Sequence, residues 1–289
     1  MVYKLSKALY GLRQAPRDWN ARLDKYLKQI GFRRCVHEYA VYIRKSKENV
    51  LIVGVYVDDL IVTGGNEDEV NTFKKQMNWE FEMSDLGLLS YYLGIEVTQE
   101  KNGISLKQTG YAKNLLKKMG MEECNGAKVP MEHKLELTKD EDGEPVNATK
   151  YRSIVGGLRY LCHTRPDITY SVGIVSRFLE RPTKLHHQVV KRILRYIQGT
   201  LNLRLFYPQS SRKNEVIAFS DSNHTRDLVD RRSTSGMVFY LNESPVTWSS
   251  QKQRCVALSS CETEFMAATM ATCQGVWLRC LIQEITGKS

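Results

Sequence analysis

Two aspartates stand side by side at Asp58-Asp59, closing the apolar run 50–57 and followed at once by Leu60-Ile61-Val62. β-Branched and apolar residues on both sides favour extended backbone, so the pair is expected on a tight turn of a two-stranded hairpin. Such a turn lifts both carboxylates out of a sheet on a rigid element. Hard divalent cations take oxygen ligands, and chemistry on phosphate needs those ligands held in fixed geometry. An Asp-Asp pair is also ordinary composition for a solvated turn. On these residues alone, metal ligation and a plain turn stay open.

The chain has 289 residues, enough for two or three domains with real cores. Its 42 lysines and arginines against 32 acidic residues leave a net charge of +10, which favours a polyanionic partner. The seven cysteines form no CxxC pair and no zinc-ligand spacing, so they read as reduced thiols of an intracellular protein. No apolar run reaches ~18 residues and the first eleven residues have no signal-like core, so a soluble chain with no membrane partner is expected.

Along the chain, 15–30 has helical spacing of Trp19, Leu23, Tyr26, Leu27 and Ile30, with Pro16 in its first turn and Gly31 as a stop. Segments 39–44, 50–57 and 61–63 read as strands, and 67–78 as a helix. Residues 92–97 and 104–107 read as a hairpin turned at Lys101-Asn102-Gly103, followed by a helix at 111–119. Residues 132–150 are dense in charge and read as an exposed connector. Helices are expected at 149–162, 167–179 and 184–197, then strands at 216–219, 234–241 and 246–248, and a last helix from Ser259-Ser260 toward Ile285. The fold class is α+β.

Several side chains offer chemistry. Asp58 and Asp59 need a third carboxylate to hold two metals, and no convincing partner stands in the sequence: Asp85 reads as a cap at a helix exit and Asp24 as a surface residue. Arg13, Arg17 and Arg22 surround the start of the first helix, where the stretch from Gly11 to Pro16 allows a close backbone approach to a base pair or is a plain loop. Lys184, Gln188, Lys191 and Arg195 follow helical spacing, with His187 and Arg192 widening a basic face suited to phosphate contacts or simply to solvation. Asp221, placed just after a strand, and Glu264, in the first turns of the last helix, make a plausible half of a magnesium-dependent nuclease site. Glu262 points elsewhere, and Asp227, Asp230, Arg231 and Arg232 read as a charged surface turn.

In chain order, Lys7-Ala8-Leu9-Tyr10-Gly11-Leu12-Arg13-Gln14-Ala15-Pro16-Arg17, Tyr56-Val57-Asp58-Asp59 and Tyr92-Leu93-Gly94-Ile95-Glu96-Val97 are followed by Thr164-Arg165-Pro166-Asp167-Ile168, 191–200, Ser220-Asp221, 230–236 and 257–265. This ordered set resembles the Pol polyprotein of copia-type long-terminal-repeat retrotransposons. The resemblance implies a partial reverse transcriptase palm and thumb over 1–130, a connector and helical connection over 131–210, and an incomplete ribonuclease H-like α/β domain over 211–289. It implies that Asp58, Asp59, Asp221 and Glu264 are catalytic carboxylates binding Mg²⁺ or Mn²⁺. It further implies that Arg13, Gln14, Arg17, Tyr56, Leu93 and Gly94, with Lys184, Lys191, Arg192 and Arg195, meet an RNA template, a DNA primer or their hybrid. An intracellular place, in a cytoplasmic particle or the nucleus, goes with it.

The departures from the family pattern matter too. A further palm aspartate is expected upstream of the Leu-Tyr-Gly-Leu segment and two nuclease carboxylates downstream of the long helix, so both sites are expected to be half-built in this chain. Asp18 replaces a small residue before Trp19, and Asn223-His224-Thr225 replace an aromatic and small residues. Two classes of function follow: an RNA-directed DNA polymerase fragment with partial ribonuclease H, inactive alone, or a non-catalytic nucleic-acid-binding remnant or pseudogene product.

Overall fold

The computed structural model describes residues 11–46, 49–133, 135–209 and 215–287, so Lys7 to Tyr10 of the first motif lie outside it. Two compact units emerge: Met1–Leu88 with Val276–Ser289, and Leu89–Gly275.

The first unit opens with α1 (Ala15–Gln29), whose Leu23 and Leu27 are fully buried. Strands β1 (Arg33–Arg34), β2 (Val41–Lys45), β3 (Val50–Tyr56) and β4 (Asp59–Gly64) form one antiparallel sheet in that order. α2 (Glu67–Glu80) is capped by Asn66, whose side chain accepts from the Glu69 amide, one of the donors a helix start leaves unpaired. Side chains alternate along a strand, so Leu51 and Val53 pack with Leu23, Leu27, Phe73, Met77 and Phe81 in the core between sheet and helices. Truncating such a residue to alanine costs about 2–5 kcal/mol. Directly paired residues share a face, so Tyr56 and Asp59 lie together on the opposite face from that core. Asp24 is not the plain surface residue expected. It accepts from the hydroxyl of buried Tyr42 at 2.9 Å and from Lys28 at 2.8 Å, because a buried phenol needs a partner.

In the second unit β5 (Tyr91–Tyr92), β6 (Ile95–Glu100), β7 (Gly103–Lys107) and, after a long excursion, β8 (Leu205–Pro208) make a four-stranded antiparallel sheet. The single strand expected at 92–97 is broken by a two-residue turn, Leu93 (φ +48°) and Gly94 (φ +77°). Positive φ at both central residues is the type I′ geometry, whose twist matches the flanking strands. Strand β8 was not anticipated, and its pairing with β7 places residues on either side of the expected division at 130 in one compact unit.

Among the described residues the larger core belongs to α3 (Thr109–Lys118), α4 (Ala148–Leu161), α5 (Thr169–Val175) and α6 (Lys184–Gly199), joined through Leu116, Tyr151, Leu158, Val190, Ile193 and Ile197. The helix expected at 167–179 is interrupted: 3₁₀ turns at Pro166–Ile168 and Ser176–Phe178 flank α5. The charged connector is not simply exposed. Leu137 is buried, the Val146 amide donates to the Pro182 carbonyl at 2.9 Å, and the buried ring of His186 meets the Thr138 carbonyl at 2.8 Å.

Strands β9 (Val216–Asn223), β10 (Thr234–Leu241) and β11 (Ser244–Lys252) form a separate antiparallel sheet in the order β11-β10-β9. The last helix, α7 (Ser260–Thr286), starts in this unit, and its turns from Val276 onward group with the first. Ser259 accepts from the Glu262 amide while the Glu262 carboxylate accepts from the Leu258 amide at 2.6 Å, a reciprocal cap that explains why Glu262 turns away from Glu264. At the other end, the Glu284 carboxylate accepts from the Cys35 thiol at 2.9 Å and from the Val36 amide. Burial opposes its ionisation, but these donors and nearby Arg33 hold its pKa below the usual carboxylate range. By length and composition alone α7 is long and apolar enough to cross a membrane.

Candidate functional site

The Asp58-Asp59 hairpin has the expected form. Tyr56 pairs with Asp59, leaving Val57 and Asp58 as the two central residues of the turn. Val57 has φ +53°, a conformation that glycine adopts freely and a β-branched residue rarely does. Strain of this kind persists only where the surroundings hold it, at a cost of roughly 1–3 kcal/mol. Here the holding contact is visible: the Trp19 indole N–H donates to the Val57 carbonyl at 2.7 Å. Trp19 is itself fixed edge-on against Phe81, with ring centroids 5.1 Å apart.

The consequence is a rigid presentation of two exposed carboxylates, Asp58 at the tip and Asp59 at the start of β4, beside the exposed Tyr56 ring. Through Trp19 the turn is tied to α1, and Arg13, Gln14 and Arg17 stand exposed at that helix's start. Gly11, at φ +90°, supplies a backbone conformation disfavoured for other residues just before them. The Trp19 bond was not foreseen. The only sequence hint was a tryptophan on the polar opening turn of a helix.

Adjacent aspartates supply oxygen donors suited to one hard cation, and holding two ions takes more oxygens than the pair offers. Among the described residues no group of three or more His, Cys, Asp or Glu side chains is arranged to hold a metal. Asp85, read as a helix-exit cap, lies beyond α2 in a loop, where it accepts from the Gly87 amide and pairs with Lys74 at 3.0 Å.

The second carboxylate pair is built differently from the expectation. Asp221 does not follow its strand but lies inside it, opposite Gly236, because β9 continues to Asn223. Glu264 Oε1 accepts from the amide of Ser222, the next residue, at 3.3 Å. The structure therefore brings the first turns of α7 against β9 at this position. Both Asp221 and Glu264 are exposed, and His224 is an exposed loop residue.

The charged turn beside it proves to be more than surface decoration. Asp227 is buried, and one of its oxygens contacts both Arg177 and Lys252 at 2.7 Å, while Lys252 also reaches Asp230 at 2.7 Å. Burial alone raises a carboxyl pKa. Hydrogen bonds from Lys252, the Val229 amide and Arg177 outweigh it and hold Asp227 down to about 2.

The basic face of α6 exists, but part of its charge is already used. Lys184 pairs with Glu144, Arg192 with Glu132 at 2.7 Å, and Arg195 donates to the Asn125 carbonyl at 2.8 Å. Lys191 is exposed. Leu93 and Gly94 form the β5–β6 turn, and the Tyr160 hydroxyl donates to the Leu93 carbonyl.

Residues 1–133 match the family model described as reverse transcriptase (RNA-dependent DNA polymerase). Over 284 residues and 98% of its length, the chain is 36% identical to the retrovirus-related Pol polyprotein from transposon RE1 of Arabidopsis thaliana. It is 34% identical, over 99% of its length, to the corresponding polyprotein from transposon TNT 1-94 of Nicotiana tabacum. These matches span only 19% and 22% of the two plant polyproteins. A putative transposon Ty5-1 protein of Saccharomyces cerevisiae is 32% identical over 93% of this chain and 88% of its own length. With the Asp-Asp hairpin in place and matches that cover 98–99% of its length, the chain belongs to the copia-type retrotransposon Pol polyproteins.

Proposed function

We propose that this chain is the palm, thumb and connection portion of an RNA-directed DNA polymerase, joined to the leading part of a ribonuclease H-like domain, and that it lacks both activities on its own. The observation that carries the reading is the Asp58-Asp59 hairpin, two exposed carboxylates held on a strained turn by Trp19. In this reading 1–130 is palm and thumb, 131–210 connector and connection, and 211–289 the nuclease-like layer. The two compact units are divided elsewhere, between Leu88 and Leu89 and between Gly275 and Val276, so these boundaries are proposed as divisions of role.

Asp58 and Asp59 are the residues that would hold Mg²⁺ or Mn²⁺ in the polymerase site, with Asp221 and Glu264 doing so in the nuclease site. When bound, such an ion neutralises phosphate charge and polarises the phosphorus toward attack. The protein's own part is positioning. The hairpin fixes where the carboxylates stand, Tyr56 offers an exposed ring beside them, and Arg13, Gln14 and Arg17 provide donors for a template strand. The Leu93-Gly94 turn meets the primer, and Lys191 and Arg195, flanked by the carboxylate-paired Lys184 and Arg192, follow the backbone of a hybrid without reading its sequence. Such a protein works inside the cell, in a cytoplasmic particle or the nucleus.

Binding of Mn²⁺, followed by its paramagnetic resonance signal, tests the assignment. Two weak sites are expected, one abolished by Asp58→Asn with Asp59→Asn and the other by Asp221→Asn with Glu264→Gln. Titration curves unaffected by both double variants would refute it.

A further inference from the structure

The second unit contains a cleft of about 700 Å³ walled by α4, α5 and β11. Among the described residues its ionisable lining is basic apart from the Cys162 thiol: Arg159, His163, Arg177 and Lys252 line it, and no aspartate or glutamate does. Burial pushes the Cys162 thiol up to about 11, so it adds no negative charge at neutral pH. Strand β11 is the outer strand of its sheet, and the hydroxyls of Thr247, Ser249 and Ser250 on it line the cleft together with those of Thr169 and Ser176. Hydroxyls beside a cationic side chain are suited to phosphate oxygens.

The walls are firm. The Trp248 indole donates to the Cys162 carbonyl at 2.9 Å, tying β11 to the end of α4. Arg177 and Lys252 are held by the buried Asp227, so their charge is largely balanced and their role at the rim is shape. Arg159 differs. It is exposed, and among the described residues no carboxylate pairs with it. A guanidinium without a carboxylate partner, lining the same cleft as these hydroxyls, matches the fork-shaped recognition of a phosphodiester.

We propose that this cleft is a subsite for the sugar-phosphate backbone of nucleic acid, with Arg159 as its charged contact. It rests on the nucleic-acid reading above and adds a surface outside the basic face of α6. Recognition there is independent of base sequence, because the donors address phosphate oxygens.

The test is anisotropy of a labelled RNA–DNA hybrid bound by the full 289-residue chain across a salt series. Arg159→Ala should reduce the slope of log affinity against log salt by about 0.9, so that between about 50 and 200 mM salt the variant loses roughly 3-fold less affinity than the parent. Arg159→Lys, which keeps the charge, should retain the parent slope, and Arg159→Ala should melt at the parent temperature. Exposed Lys75, replaced by alanine, is the charge-matched control and should leave the slope alone. A parent that binds the hybrid with an Arg159→Ala slope equal to its own would overturn the subsite only. A parent that binds no hybrid at any salt would overturn the nucleic-acid reading and the subsite together.

Discussion

The indole nitrogen of Trp19 lies 2.7 Å from the carbonyl oxygen of Val57, a residue whose backbone sits at φ +53°. One hydrogen bond thus joins the start of α1 to the turn that carries the two aspartates. A carbonyl at a strained turn tip has few other ways to be held, and an unrestrained turn would let Asp58 wander. Replacing Trp19 by phenylalanine keeps the ring against Phe81 and deletes the donor. Stability should fall by about 1 kcal/mol in a denaturant titration, and amide exchange at 58–60 should quicken. Unaltered exchange there would mean that the bond does not hold the turn.

Val57 itself should be worse than glycine for stability. Glycine at 57 adopts positive φ without strain but loses more freedom on folding, and the net gain from Val57→Gly should be roughly 0.5–1 kcal/mol. Thermal melting measures this directly. A loss of stability would show that the valine side chain makes a contact more valuable than the strain it causes.

Acid sensitivity is expected from Asp227. Its pKa in the folded chain is about 2, below the ordinary 3.8, so the stabilisation from its ionised form is fully present above about 4 and disappears as pH falls through 2. The contribution is on the order of 2 kcal/mol. Asp227→Asn should therefore flatten the stability profile between pH 4 and 2 and, by leaving Arg177 and Lys252 without their shared partner, should cost about 3–5 kcal/mol near neutrality. A profile as steep as the parent's would assign the acid transition to other groups.

On α6, the pairs already made by Lys184 and Arg192 lower what that face can offer a polyanion. Changing Lys184, Lys191 and Arg195 together to alanine should reduce the salt slope of hybrid binding by about 2, with Lys191 and Arg195 responsible. A triple variant with the parent's slope and an intact fold would remove this face from the binding surface.

Much of the first unit was legible because its signals are local. Pro16, the spacing from Trp19 to Ile30 and the apolar runs flanking Asp58-Asp59 each act within a few residues, and α1, β3 and β4 follow them. What escaped depends on partners far along the chain. Strand β8 is defined by β7, and Asp227 is buried because Arg177 and Lys252 come to meet it. The Leu93-Gly94 turn left a usable clue in its glycine, overridden by the apolar run around it. Of the candidate site, the residues forming the hairpin could be read directly, whereas the Trp19 bond and the continuation of β9 through Asp221 required the fold.

Primer extension on a primed RNA template with Mg²⁺ tests most directly whether the Asp58-Asp59 hairpin is half of a polymerase metal site. The comparison is the 289-residue chain alone, the chain joined to a palm segment from one of its relatives, and each of these carrying Asp58→Asn. The chain alone is expected to make no product, since two adjacent carboxylates do not hold two ions about 4 Å apart, and the joined form is expected to synthesise DNA only when Asp58 is intact. Robust, Asp58-dependent synthesis by the 289-residue chain alone would contradict this.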